Sequence, residues 1–185
     1  MLLKIPLSKS ILPFFFLILC YETFGQQKID EIISLNGLSL GSHLDELKNN
    51  LYLITGKETI YQNNPFLAKT MASNIEKGIK EGIYEGNTYH IINGSKTSDM
   101  RLYFFNNELF KIRWNFHKKE IQDLKNFFRD LKTYFEKNYG EYSDSIFEDT
   151  FIWQGKANRL QLFMDNDVIQ IEFRNESIEN KIKSL

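Results

Sequence analysis

The sequence predicts an α+β fold. It should form an antiparallel sheet of about five to six strands, with a long amphipathic helix packed on one face and a shorter N-terminal helix. Three observations carry this expectation. Short apolar runs rich in aromatic and β-branched residues are joined by turn-forming pairs, as in Arg101–Phe105 and Leu109–Trp114 around Asn106-Asn107. One segment, from about Lys118 to Asn138, repeats apolar residues at helical spacing through Ile121, Leu124, Phe128, Leu131 and Phe135. Strand and helix signals are segregated along the chain, where a parallel sheet would alternate them.

The elements follow in order. Leu35-Asn36-Gly37-Leu38-Ser39-Leu40-Gly41 alternates like a short strand, and Ser42-His43-Leu44-Asp45 then reads as a helix cap. Leu44, Leu47 and Leu51 form that helix's apolar stripe. Leu53–Tyr61 reads as a strand broken at Asn64-Pro65. Phe66–Lys80 reads as a helix, with Asn64 as cap, Pro65 at its first position, and Gly78 and Gly82 ending it; a long loop is the alternative.

Thr88–Ile92 is a strand leading into an Asn93-Gly94 turn. In Leu109–Trp114, alternation places Phe110, Ile112 and Trp114 on one side and Lys111 and Arg113 on a wetted side. Gly140 stops the long helix, and Phe147–Gln154, Arg159–Met164 and Val168–Phe173 continue as a meander. The tail from Asn175 is polar and is expected to fray.

Residues 1–25 read as a cleaved export signal. Lys4 and Lys9 precede an apolar run from Ile11 to Cys20, and Thr23-Phe24-Gly25 sets small residues at −3 and −1, so cleavage falls between Gly25 and Gln26. The run is too short for a membrane span, which needs about twenty residues. The alternative fate is lipidation on Cys20; Leu17 and the cysteine fit a lipobox, whereas Leu19 is too bulky for the peptidase subsite. Residues 26–185 then form one domain, periplasmic or extracellular.

Removing Lys4 and Lys9 takes Lys+Arg from 23 to 21, and removing Glu22 takes Asp+Glu from 24 to 23, leaving a net charge of −2. That balance argues against a nucleic-acid partner, which calls for a clustered basic excess. With the single cysteine gone, stability rests on the core, without disulfides.

Chemistry-bearing motifs are sparse. His43, His90 and His117 show no metal-ligand spacing, and the glycines form no phosphate-binding loop. No cofactor is expected. Glu141, Asp144, Glu148 and Asp149 cluster, as do Asp165 and Asp167; paired carboxylates of this kind suit glycan hydrolysis, and a solvated loop and a turn whose Asx residues bond their own backbone are the favoured explanation. Tyr84, Tyr89, Tyr103, Phe110, Trp114, Tyr139, Tyr142 and Trp153 are the aromatic resource for recognition or, for the tryptophans, core.

Asn36-Gly37-Leu38-Ser39-Leu40-Gly41-Ser42-His43-Leu44-Asp45-Glu46-Leu47, with Leu131 to Tyr139-Gly140 and then Phe151-Ile152-Trp153, resembles small bacterial envelope domains of the BamE-like and β-lactamase-inhibitor-like type. The resemblance implies a layered helix-on-sheet domain that binds another envelope protein without catalysis. The expected function is therefore a non-catalytic interaction module. The alternatives are an inhibitor or immunity protein against an envelope-acting enzyme, a cell-wall glycan hydrolase using its acidic residues, and a small-ligand carrier.

Overall fold

The computed structural model describes residues 29–185. The expected architecture is corrected in extent: the main sheet has eight antiparallel strands, not five or six, and helical content is spread over several short pieces. A two-stranded ribbon of β1 (Ser34–Leu35) and β2 (Leu38–Ser39) precedes it. Next come α1 (Leu44–Leu47), a 3₁₀ turn (Lys48–Asn50), β3 (Leu51–Ile54), α2 (Thr59–Gln62), α3 (Pro65–Glu76) and β4 (Ile79–Tyr84). A small hairpin, β5 (Ile91–Ile92) and β6 (Ser95–Lys96), leads into β7 (Asp99–Phe105) and β8 (Glu108–His117). The chain ends with α4 (Leu124–Tyr139), β9 (Asp144–Ser145), β10 (Thr150–Gln154), β11 (Asn158–Asp165), β12 (Val168–Asn175) and α5 (Glu176–Lys183). The sheet runs β3-β4-β7-β8-β12-β11-β10-β9.

Local chemistry accounts for most boundaries. Asn106 and Asn107 adopt φ of 52° and 67°, giving the tight turn that joins β7 to β8. Asn64 caps α3 by accepting from the backbone N–H groups of Phe66 and Leu67, with Pro65 at the first position. The long helix starts at Leu124, six residues later than its periodicity suggests. Asp123 is its cap, accepting from Asn126 N at 3.1 Å, and Lys118 N is held by the carbonyl of Asp167. Leu124, Phe128, Leu131 and Phe135 bury its apolar stripe against the sheet.

Four further expectations fail for identifiable reasons. His43, not Ser42, caps α1, its Nδ1 accepting from Asp45 N, while Ser42 lies one residue before the cap with its carbonyl accepting from Leu109 N. The strand expected at Leu53–Tyr61 runs from Leu51 to Ile54, so Leu51 joins the sheet instead of a helix stripe. Gly82 lies inside β4, not at a helix end; a Cβ there would stand 2.7 Å from Leu51 Cδ1, so the glycine lets the two strands close up. The tail is not frayed: Asn175 accepts from Ile178 N to start α5, and Ile182 is buried.

A β-bulge redirects one core residue. Tyr103 pairs with Lys111 and Phe104 with Leu109, leaving Phe110 as the extra residue. Leu109, Ile112 and Trp114 therefore face the main core, and Phe110 turns to the opposite face beside Ile79, Tyr103 and Ile182. That second face is covered by α5 at one end and by Tyr61 and Met71 of α2 and α3 at the other, so it is not the open wet face that alternation suggests.

Candidate interaction surfaces

The two ends of the eight-stranded sheet carry exposed apolar side chains, and each end has a physical reason to be unusual. At one end, among the described residues, β3 pairs only with β4, and its outer edge has no partner strand. All four residues of β3 are apolar or aromatic, and Tyr52 and Leu53 are exposed. Ile60 of α2 and Phe66 of α3, the latter 77% exposed, follow in the adjoining helices. An uncovered apolar edge offers backbone and side-chain contact to another chain.

At the other end, the turn between β9 and β10 presents Ile146 and Phe147. Phe147 is 84% exposed and holds φ at 60°, the left-handed region. Among the described residues the other non-glycine residues with positive φ are all asparagines, which tolerate it. A bulky aromatic there costs about 1–3 kcal/mol. The Ile146 N–H donates to the Thr150 carbonyl at 3.1 Å and fixes the turn. The strand expected over Phe147–Gln154 starts only at Thr150, and Phe147 belongs to the turn before it, which Glu148-Asp149 signal.

The sheet face beneath α5 holds an ionic network. Arg113 donates to Glu172 at 2.9 Å and Arg101 to Glu81 at 2.8 Å, while Arg174 contacts Glu172, Glu176 and Glu179. Burial alone would raise Glu172, but the charges of Lys111, Arg113 and Arg174 and the Arg113 hydrogen bond outweigh it and hold the carboxyl below the ordinary range. Burial lowers Lys111 and raises Tyr103, whose ring lies 4.2 Å under the Lys111 ammonium. The pairs are opposite in sign, and Arg174 ties Glu176 and Glu179 of α5 to the Glu172 strand, which makes this part of the network a structural fastener for α5.

The remaining sequence candidates are dispersed. His90 is buried, bonded to Thr97 Oγ1 at 2.6 Å and to the Tyr84 carbonyl at 3.1 Å. His117 meets Asp99 at 3.1 Å, and His43 is occupied as a cap. Among the described residues no three metal-ligating side chains converge. Trp114 and Trp153 are buried, donating to the Tyr89 and Gly140 carbonyls respectively; Tyr139 and Tyr142 pack at the core margin.

The acidic groups are split. Glu141, Asp144 and Glu148 are exposed around the β9–β10 turn, whereas Asp149 and Asp165 line a groove of about 390 Å³ with Asp123, Lys118 and Lys125. Three of the groove's carboxylates have local partners: Asp123 caps α4, Asp165 accepts from Asn166 N, and Asp149 accepts from the Thr150 hydroxyl. Asp167 pairs with Lys118. Gly25, Gln26 and Cys20 lie outside the described residues. Among the described residues no helix is long and apolar enough to cross a membrane.

Comparison of the chain with family models, with curated proteins and with solved structures finds no match.

Proposed function

We propose that this chain is an exported, non-catalytic interaction module working in the bacterial periplasm or outside the cell. The observation that supports it most is the uncovered β3 edge, where Tyr52 and Leu53 stand exposed beside Ile60 and Phe66. An apolar edge of this kind is a standing aggregation risk that proteins ordinarily blunt with charge or cover, so its retention favours use. The exposed Phe147 at the opposite end of the sheet supports the same reading. The Gly25–Gln26 cleavage expectation supplies the location.

The test is in-cell cross-linking followed by affinity capture of the tagged chain from envelope extracts. Wild type should retain a specific second protein, and Leu53→Lys should lose it. Recovery of the bait without any other protein, across several detergents and salt concentrations, would overturn the envelope-partner reading. Mass measurement of the recovered chain tests its location at the same time: a start at Gln26 supports export, and a full-length chain in the cytosol refutes it.

A further inference from the structure

Two asparagine–glycine pairs sit at hairpin tips. Asn36-Gly37 joins β1 to β2 with φ of 55° and 81°, and Asn93-Gly94 joins β5 to β6 with φ of 48° and 78°. Among the described residues Asn106 and Asn107 also hold positive φ, but asparagine and glutamate follow them. An asparagine amide ahead of glycine is the least shielded from its neighbour, because glycine has no side chain to hinder attack by its own backbone nitrogen.

The two tips share a chemistry and differ in surroundings. The Asn36 amide donates to the Tyr89 carbonyl at 2.7 Å, and the Tyr89 ring lies against Gly37, where a Cβ would stand 3.7 Å from Tyr89 Cε1. Leu35 and Leu38 on either side are buried in the main core. Asn93 is held by far less. It and Gly94 are exposed, a Cβ at Gly94 would meet nothing within 4 Å, and among the described residues the Asn93 side chain forms no hydrogen bond. Two residue pairs, Ile91–Lys96 and Ile92–Ser95, hold the tip, and of these four residues Ile92 alone is buried. A hairpin so short and so little packed opens at low cost in free energy.

We infer that Asn93-Gly94 is a site of spontaneous deamidation, and that the fold protects Asn36-Gly37 from the same reaction. When the hairpin opens, the Gly94 nitrogen gives up its proton and attacks Asn93 Cγ. The N–Cγ bond forms, the Cγ–Nδ2 bond breaks, and ammonia leaves carrying the proton, which closes a succinimide ring. Water then splits that ring. Opening at one carbonyl yields an aspartyl group; opening at the other yields an isoaspartyl group, whose main chain is one carbon longer. No electrons change hands, and water is the only co-reactant. The longer link cannot keep the two-residue turn, so β5 and β6 unpair. The change stops at the base of the hairpin, where Thr97 N donates to the His90 carbonyl at 2.7 Å and His90 Nδ1 meets Thr97 Oγ1 at 2.6 Å. The reaction proceeds whether or not the chain is an interaction module.

Timed peptide mapping of the full chain at mildly alkaline pH, with and without guanidinium chloride, tests this. In denaturant the two pairs should convert at similar rates, because the same residue follows each asparagine. In the folded chain Asn93 should convert at least about tenfold faster than Asn36, the ratio expected when a hydrogen bond and packing close one site. Similar native rates, faster loss at Asn36, or an Asn93 amide that outlasts complete conversion of the denatured chain overturns the inference. Labelling by an isoaspartyl-specific methyltransferase locates the lengthened link, and limited trypsin digestion reads the opened hairpin as cleavage after the exposed Lys96. Aged wild type should be cut there faster than fresh wild type. Asn93→Asp carries the charge without the longer link and should resist as fresh wild type does. Equal cutting of aged and fresh chains, or fast cutting of Asn93→Asp, overturns the unpairing by the longer link.

Discussion

At the residue scale, Asp30 does more than its position near the start of the described chain suggests. Its carboxylate accepts backbone N–H groups from Lys156 and Ala157 at 2.8 Å and from Asn158 at 3.2 Å, closing the turn between β10 and β11. Burial works to raise its pKa, but those three bonds and the Lys156 charge outweigh it, so the carboxyl stays below the ordinary aspartate value. Asp30→Ala leaves three donors searching for water in a half-covered turn. It should cost about 1–3 kcal/mol, read as a lower urea midpoint with unchanged slope. Asp30→Asn should recover part of the loss, since an amide oxygen accepts as well. None of this was legible beforehand: a carboxylate 126 residues away from Lys156 has no local signature. Asn106-Asn107 was legible because the asparagine preference for positive φ is local.

At the element scale, α5 is the instructive case. Its sequence, Glu-Ser-Ile-Glu-Asn-Lys-Ile-Lys, reads as a polar tail, yet Ile178 and Ile182 sit four apart and reach a small apolar cluster of Ile79, Tyr103 and Phe110. That cluster exists because the bulge at Tyr103/Phe104 sends Phe110 across the sheet. A sequence pattern of period two assigns Phe110 to the wrong face, and with it loses the surface on which the tail docks. The long helix was readable because four of its buried residues come from one strong periodicity, whereas α5 depends on an irregularity in distant strands. Ile182→Ala should therefore destabilise by about 2–3 kcal/mol, at the lower end for a buried aliphatic because the cluster lies near the chain terminus. In hydrogen exchange it should raise the rates of α5 amides first, ahead of those in β8 and β12. Gly82→Ala tests the β3 edge of the sheet. Its new methyl group meets Leu51, and loss of about 1–2 kcal/mol with a disturbed β3 edge is the expected result.

At the scale of the whole molecule, the ionic network couples α5 to the middle of the sheet and gives the fold a defined acid limit. Glu172 is buried with its pKa depressed by Lys111, Arg113 and Arg174, and Asp30 is depressed as well. A carboxyl whose folded pKa lies below its unfolded one binds fewer protons in the native state. Its stabilisation is complete above the unfolded value, about pH 4–4.5, and disappears as pH falls through the folded value. Stability should be level near neutrality and decline below about pH 5. Urea midpoints collected across this range check the shape. Glu172→Gln removes one titrating group, so its stability curve should fall less steeply in acid even though its neutral plateau is lower. Arg113→Met acts in the same direction: with less compensation the folded pKa of Glu172 moves up towards its unfolded value, so its curve should also fall less steeply in acid, from a lower neutral plateau. Arg113 is 29% exposed, so its loss at neutral pH should be about 2 kcal/mol, below the 3–5 kcal/mol typical of a fully buried pair. An Arg113→Met curve parallel to wild type throughout the acid range would mean that the Arg113–Glu172 pair does not set the acid limit.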